Sequence, residues 1–149
     1  MLADYSRTLP KYSKIDISQE RRLIAKAKKG CPQATEEVVL RHVGFIIFRI
    51  YKKTFPTYID RFGEDILSQA VFILYDKINT YNLRYKNKEG QHSPVRFASY
   101  VWKRIDGFIL DSLKKEITRE KRQTSLNWER FERVESHFEL CPGQEEGQD

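Results

Sequence analysis

Apolar residues recur three and four positions apart along most of the chain, the spacing of amphipathic helices. Residues 1–17 lack a sustained repeat and read as an N-terminal arm with a turn at Leu9-Pro10. Ser18 then stands as a cap before QERRLIAKAKKG, a short helix that Gly30 stops. Pro32 suits the first turn of the next helix, with Cys31 at its cap, and the pattern runs to about Lys53. Ala34, Val38, Val43, Ile46, Ile47 and Ile50 share one side of it. Glu36 and Glu37 in its first turn and Lys52 and Lys53 in its last suit the helix field. Pro56 breaks the pattern.

A third helix is expected over about 63–81. Ile66, Leu67, Ala70, Phe72, Ile73, Leu74 and Ile78 make it apolar nearly all round, a central core element, with Asp65, Ser68, Gln69, Asp76 and Lys77 exposed. A polar, basic loop, NLRYKNKEGQH, follows. Ser93-Pro94, cap plus proline, predicts the start of a fourth helix reaching about Ile117, with Phe97, Val101, Ile105, Phe108, Ile109 and Leu113 as its stripe. Gly107 weakens that helix by about 1 kcal/mol against alanine, so a packing or contact reason is expected for it. Beyond the basic run KKEITREKRQTS, Trp128, Phe131, Val134 or Glu135, and Phe138 fall at helical spacing as an extra C-terminal amphipathic helix. The expected fold is all-α: an arm (1–17), a compact helical bundle (18–122), then linker, amphipathic helix and acidic tail (123–149).

Composition narrows the function classes. The 149 residues hold 40% apolar and 32% charged residues with few Gly and Pro, unlike a disordered or fibrous chain. No apolar stretch is long enough to span a membrane, and no signal peptide opens the chain. Cys31 and Cys141 form no disulfide framework, which suits a reducing, cytoplasmic setting. The net charge of +6 conceals a split: residues 1–128 carry 25 Lys and Arg against 14 Asp and Glu (+11), and residues 129–149 carry 2 against 7 (−5). A basic body attracts polyanions by long-range fields and counterion release.

Catalytic chemistry finds little support. The glycines form no phosphate loop, His42, His92 and His137 lack spaced metal-ligating partners, and no nucleophile motif is present. No enzyme activity, metal or cofactor is expected. The informative stretch is PVRFASYVWKR at 94–104, where Arg96, Lys103 and Arg104 interleave with Phe97, Tyr100 and Trp102. Cations for phosphates and aromatic plates for unstacked bases are the combination that single-stranded nucleic acid uses. Phe97 reads equally as core or contact. Tyr100 reads as contact, because Phe97 and Val101 already supply the buried stripe.

These segments, in this order, resemble region 2 of the bacterial sigma-70 family of transcription initiation factors, with the preceding helix similar to region 1.2. The match runs through ISQERRLIAKAKKGCPQATEEVVLRHVGFIIFRIYKK, DILSQAVFIL, RFASYVWKRIDGFILDSLKK and TREKRQTSLN, and is nearer to sporulation and general-stress members. The resemblance implies a non-enzymatic factor that binds core RNA polymerase and recognises a −10-type promoter element as single-stranded DNA. Asp65, Ile66, Ser68 and Gln69 match the surface that docks on the clamp helices of the largest polymerase subunit. Phe97 and Tyr100 match the aromatics beside the melted non-template strand, with Tyr100 stacking the flipped adenine. Ser99 matches the family threonine, Arg96 a backbone contact, and Gly107 and Leu110 positions at the upstream duplex edge. Trp102, Lys103, Arg104, Lys114, Lys115, Arg119, Lys121 and Arg122 complete the expected DNA face.

The departures are specific. Lys103 and Arg104 stand where the housekeeping tryptophan pair wedges the duplex, Trp102 falls one place early, and Gln69 replaces an acid. The loop before Phe97 is longer than usual and carries Arg84, Lys86 and Lys88. The sequence ends before any helix-turn-helix that reads a −35 element, so a separate helix-turn-helix protein, or an anti-sigma factor, is a further expected partner. The last amphipathic segment reads either as a cap on the core or as a docking segment for such a partner. The rival functions are a non-initiating sigma-like inhibitor or coactivator, and a helical nucleic-acid-binding module with no polymerase partner.

Overall fold

In a computed structural model the chain is described over residues 2–139, with side chains as far as residue 133. The acidic tail beyond 139, Cys141, and the side chains of Val134, Glu135 and Phe138 lie outside the described residues. Among the described residues five helices follow one another: α1 (Leu2–Thr8), α2 (Ile17–Lys28), α3 (Pro32–Lys53), α4 (Pro56–Thr80) and α5 (Phe97–Glu139). No strand occurs among the described residues, and the fold is an all-α bundle. Two compact units divide it, Met1–Leu113 and Lys114–Asp149.

Local signals explain most of the boundaries. Asp16, not Ser18, caps α2: its carboxylate takes the Gln19 N–H (2.7 Å) while the Gln19 side chain returns to the Asp16 N–H (3.1 Å). The helix therefore begins one residue before the predicted cap. Gly30 ends it at φ 94°, a left-handed conformation that only glycine takes cheaply. There the Gly30 and Cys31 N–H groups reach back to the carbonyls of Ala27 and Lys26 (3.0 and 3.2 Å), closing the helix. Pro32 and Lys53 bound α3 as the pattern predicts, although Glu36 and Glu37 stand past its first turn.

Two expectations about proline are corrected. Pro56 starts α4 rather than separating it from a helix at 63, because a first-turn proline forfeits no helical hydrogen bond. Ser93-Pro94 does not start α5. The helix begins at Phe97, with the Arg96 carbonyl taking the Tyr100 N–H (3.0 Å). Between α4 and α5 the basic loop folds back through an isolated bridge from Lys86 to His92. The arm is partly helical, and the expected interruption of α5 near Ile117 is absent: it continues through the basic run to Glu139.

The core of the first unit is aliphatic. Ile24 of α2, Val38, Ile46 and Ile50 of α3, Leu74 and Ile78 of α4, and Val101, Ile105 and Ile109 of α5 are fully buried. Phe72 is the exception on α4, 69% exposed where the pattern expected core. Gly63 lies close under α1: a Cβ there would meet Leu2 Cδ1 at 2.7 Å, and the end of that side chain would have to shift to admit it.

Glu20 ties three elements together from a buried position. Its Oε2 accepts the Phe97 N–H (3.3 Å), so α2 supplies the acceptor that caps α5 from outside. The other oxygen lies 3.5 Å from His42 Nε2, while His42 Nδ1 donates to the Val38 carbonyl (2.6 Å). Arg96 Nη1 stands 3.9 Å from the same carboxylate. Burial raises the Glu20 pKa, but the His42 hydrogen bond, the Phe97 N–H and the charges of His42 and Arg96 outweigh it, leaving the pKa below the ordinary glutamate value.

A depressed folded-state pKa contributes stability above the unfolded glutamate value, near about pH 4.3, and that contribution disappears as pH falls through the folded value. Urea midpoints measured from neutral to acid pH should therefore fall below about pH 4.5 in the native chain and fall less steeply in Glu20→Gln. Glu20→Ala should cost about 2 kcal/mol at neutral pH, having lost a cap and stranded its donors. Equal pH slopes for the native chain and Glu20→Gln would remove the carboxylate from this role.

Candidate nucleic-acid interface

The first turns of α5 sort the expected contact residues by height above the core. Phe97 is fully buried, its ring edge-on to His42 (4.8 Å) and Tyr81 (6.0 Å). It is a core residue, and the question left open by periodicity is answered by packing. Ser99, Trp102, Lys103, Arg104, Gly107 and Leu110 are exposed. Arg96 is committed in part to the fold, donating to the Ile15 carbonyl (3.0 Å) beside Glu20.

Tyr100 lies between the two extremes. Its ring packs against Tyr81 (5.5 Å), and its hydroxyl meets Thr80 Oγ1 (3.0 Å) and donates to the Thr80 carbonyl (3.2 Å). Lys77 Nζ sits 5.1 Å from the ring centroid. A base stacking on Tyr100 from that side would exchange places with a lysine, which then stands beside the incoming phosphate. Lys77 thus belongs to the candidate site. Its spacing on α4 marked it only as an exposed polar position.

Trp102 is likewise flanked by cations, Arg49 of α3 and Lys103, each 5.6 Å from its ring. Arg49 is held by Asp106, whose carboxylate accepts from Nε (2.8 Å) and from Nη2, with Lys53 Nζ 4.0 Å away. The hydrogen bond to Asp106 pushes the Arg49 pKa further up, burial opposing it. Arg49 and Lys53 escaped the sequence reading because nothing in linear spacing pairs the end of α3 with the second turn of α5. The basic-aromatic end of α3, FRIYKK, was the available signal.

Gly107 meets no packing demand. A Cβ there would find nothing within 4 Å. In the second unit Lys114, Lys115, Arg119 and Arg122 line a shallow depression with Thr118, and Lys121 is exposed beside Arg122. Trp128 and Phe131 are exposed, 5.8 Å apart, and the Trp128 indole N–H donates to Glu132 (2.7 Å).

On α4 the expected docking residues divide. Asp65, Ser68 and Gln69 are exposed, with Ser68 Oγ donating to the Glu64 carbonyl (3.0 Å). Ile66 is buried at 3% exposure, so it supports that face from beneath and is not available to a partner. Phe72, one turn along from Ser68 and Gln69, is the exposed apolar residue of this face that periodicity assigned to the core. No group of three or more metal-ligating side chains occurs among the described residues, and no described helix is long and apolar enough to cross a membrane.

No protein-family model, curated protein or solved structure matches this chain.

Two substitutions separate the roles of α5. Asp106→Asn should cost about 2–3 kcal/mol in urea unfolding, because it uncouples a largely buried guanidinium from its charge partner. Gly107→Ala should raise stability by about 1 kcal/mol, as expected for an exposed helix interior with free space. A loss of stability in Gly107→Ala would reveal a neighbour to this glycine that the fold does not contain.

Proposed function

We propose that the chain is a sigma-like transcription initiation factor of the cytoplasm that binds core RNA polymerase and reads a −10-type element as single-stranded DNA. The observation that carries the reading is the aromatic-cation ridge of α5: Tyr100 under Lys77, and Trp102 between Arg49 and Lys103. Lys77 and Lys103, paired with rings alone, offer a strand phosphate neutralisation beside a stacking surface, while Arg49 stays on Asp106. The ordered resemblance of residues 15–127 to region 2 supports the same reading. Asp65, Ser68, Gln69 and Phe72 offer the polymerase a polar face with one apolar centre. Flipping a base costs a few kcal/mol, so melting draws on the polymerase and on an upstream-reading partner.

The buried Phe97 and the covered Tyr100 favour one rival, a non-initiating sigma-like regulator on the polymerase, because they leave fewer free stacking faces than the resemblance implies. Run-off transcription with core polymerase separates the two: a promoter-dependent transcript that requires the protein is expected, with or without an added helix-turn-helix partner. A tight polymerase complex that never initiates assigns the regulator role, and absence of any complex leaves a plain nucleic-acid-binding module. Tyr100→Ala should weaken binding to a single-stranded −10 oligonucleotide by about tenfold, in keeping with one lost stack, and should cost about 1–2 kcal/mol in unfolding through its lost contacts with Tyr81 and Thr80. Undiminished binding in Tyr100→Ala, measured where the variant is folded, would make Tyr100 a structural tyrosine.

A further inference from the structure

A second place for a nucleotide lies away from the α5 ridge. Between residues 9–14 and α3 runs a groove of about 550 Å³, within the size range of small-molecule sites. Lys11, Tyr12 and Lys14 line it from the arm, and Leu40, Arg41 and Gly44 from α3.

The groove is built rather than incidental. Arg41 is gripped by the Glu37 carboxylate through Nε (2.9 Å) and Nη2 (2.7 Å), and its Nη1 donates to the Ser13 carbonyl (2.7 Å). The same guanidinium lies 4.6 Å over the Tyr12 ring. Two residues further on, Arg96 donates to the Ile15 carbonyl (3.0 Å), so the irregular stretch of the arm is pinned at two points, to α3 and to the residue just before α5. The ring of Tyr12 remains 39% exposed.

Three features define what fits. Gly44 sits exposed in the middle of α3 with nothing within 4 Å of a Cβ, so packing does not ask for it and the groove keeps an open floor. Lys11 and Lys14 are exposed and form no ion pair among the described residues. Tyr12 and Leu40 add an aromatic plate and an apolar wall. A flat apolar ring with an attached polyanion satisfies all three.

We propose that this groove binds one nucleotide, its base against Tyr12 and over Gly44, its phosphates on Lys11 and Lys14. The inference goes beyond the polymerase reading, since it asks for neither a promoter nor a polymerase. The nucleotide is either a free nucleoside triphosphate or one unit of a single strand, and the chemistry of recognition is common to both.

Backbone amide chemical shifts of the full chain provide the test, with adenosine triphosphate as one probe and a short oligoadenylate as the other. Saturable shifts at Lys11, Ser13 and Gly44 are expected. Saturation by the triphosphate assigns a free nucleotide, and saturation by the oligomer alone assigns a unit of a strand. Gly44→Leu, which fills the floor with a better helix former, should weaken binding by about tenfold, the worth of one stacked base, without lowering the unfolding midpoint. Lys11→Ala with Lys14→Ala should weaken it further and flatten its salt dependence. Tyr100→Ala should leave these shifts in place, so failure at the α5 ridge and failure at the groove are read separately. Inorganic triphosphate moving the same amides as strongly as the nucleotide, undiminished binding in Gly44→Leu, or no shift with either probe would each overturn the proposal.

Discussion

The start of α5 depends on a carboxylate from another helix. Segment 93–96 supplies no side-chain acceptor for the first N–H groups of a helix whose opening turn includes a fully buried phenylalanine. Glu20 supplies it from α2, and to do so it must remain ionised at 6% exposure, which His42 and Arg96 make possible. The geometry of α2 against α3, the seat of Phe97 and the path of the arm at Ile15 all converge on this group. Removing one donor would leave the others facing an unbalanced charge, so the cluster is expected to behave as a unit.

The same arrangement shapes what the surface can do. The positive end of a helix is an ordinary place for a phosphate, but at α5 that end is already taken by Glu20. Under the proposed function, a strand on this face relies on side chains instead. Two of those side chains are paired with rings: Lys77 with Tyr100 and Lys103 with Trp102. Binding is then an exchange of these partners for phosphates, with affinity that depends on ionic strength.

How much could be read in advance follows from the range of each determinant. The bounds of α3 were legible because its signals are local: a proline in the first turn and two lysines in the last. The end of α2 was legible for the same reason, through Gly30. The start of α5 was not, because its acceptor lies in α2, far away in sequence, and Ser93-Pro94 imitates a cap that the fold does not use. Pro56 misled because one residue type both ends and begins helices, and only the neighbouring turn distinguishes the roles. At the site, the cations and rings of α5 were visible as a string of residue types. Which ring is buried, and which cation covers which ring, is decided between helices: Phe97 against His42, Tyr100 under Lys77, Trp102 beside Arg49. The groove beside Gly44 left no periodic trace, since half of its wall is irregular chain.

The placement of Trp102 has a practical side. An indole beside two cations emits in their electric field, and that field changes when an anion draws the Lys103 charge away. The sequence contains two tryptophans, Trp102 and Trp128, one in each compact unit. Silencing Trp128 with phenylalanine would leave a single tryptophan, on the candidate interface, that can be excited selectively over the tyrosines. The molecule thus carries its own optical reporter, tuned by the charges whose occupancy is in question.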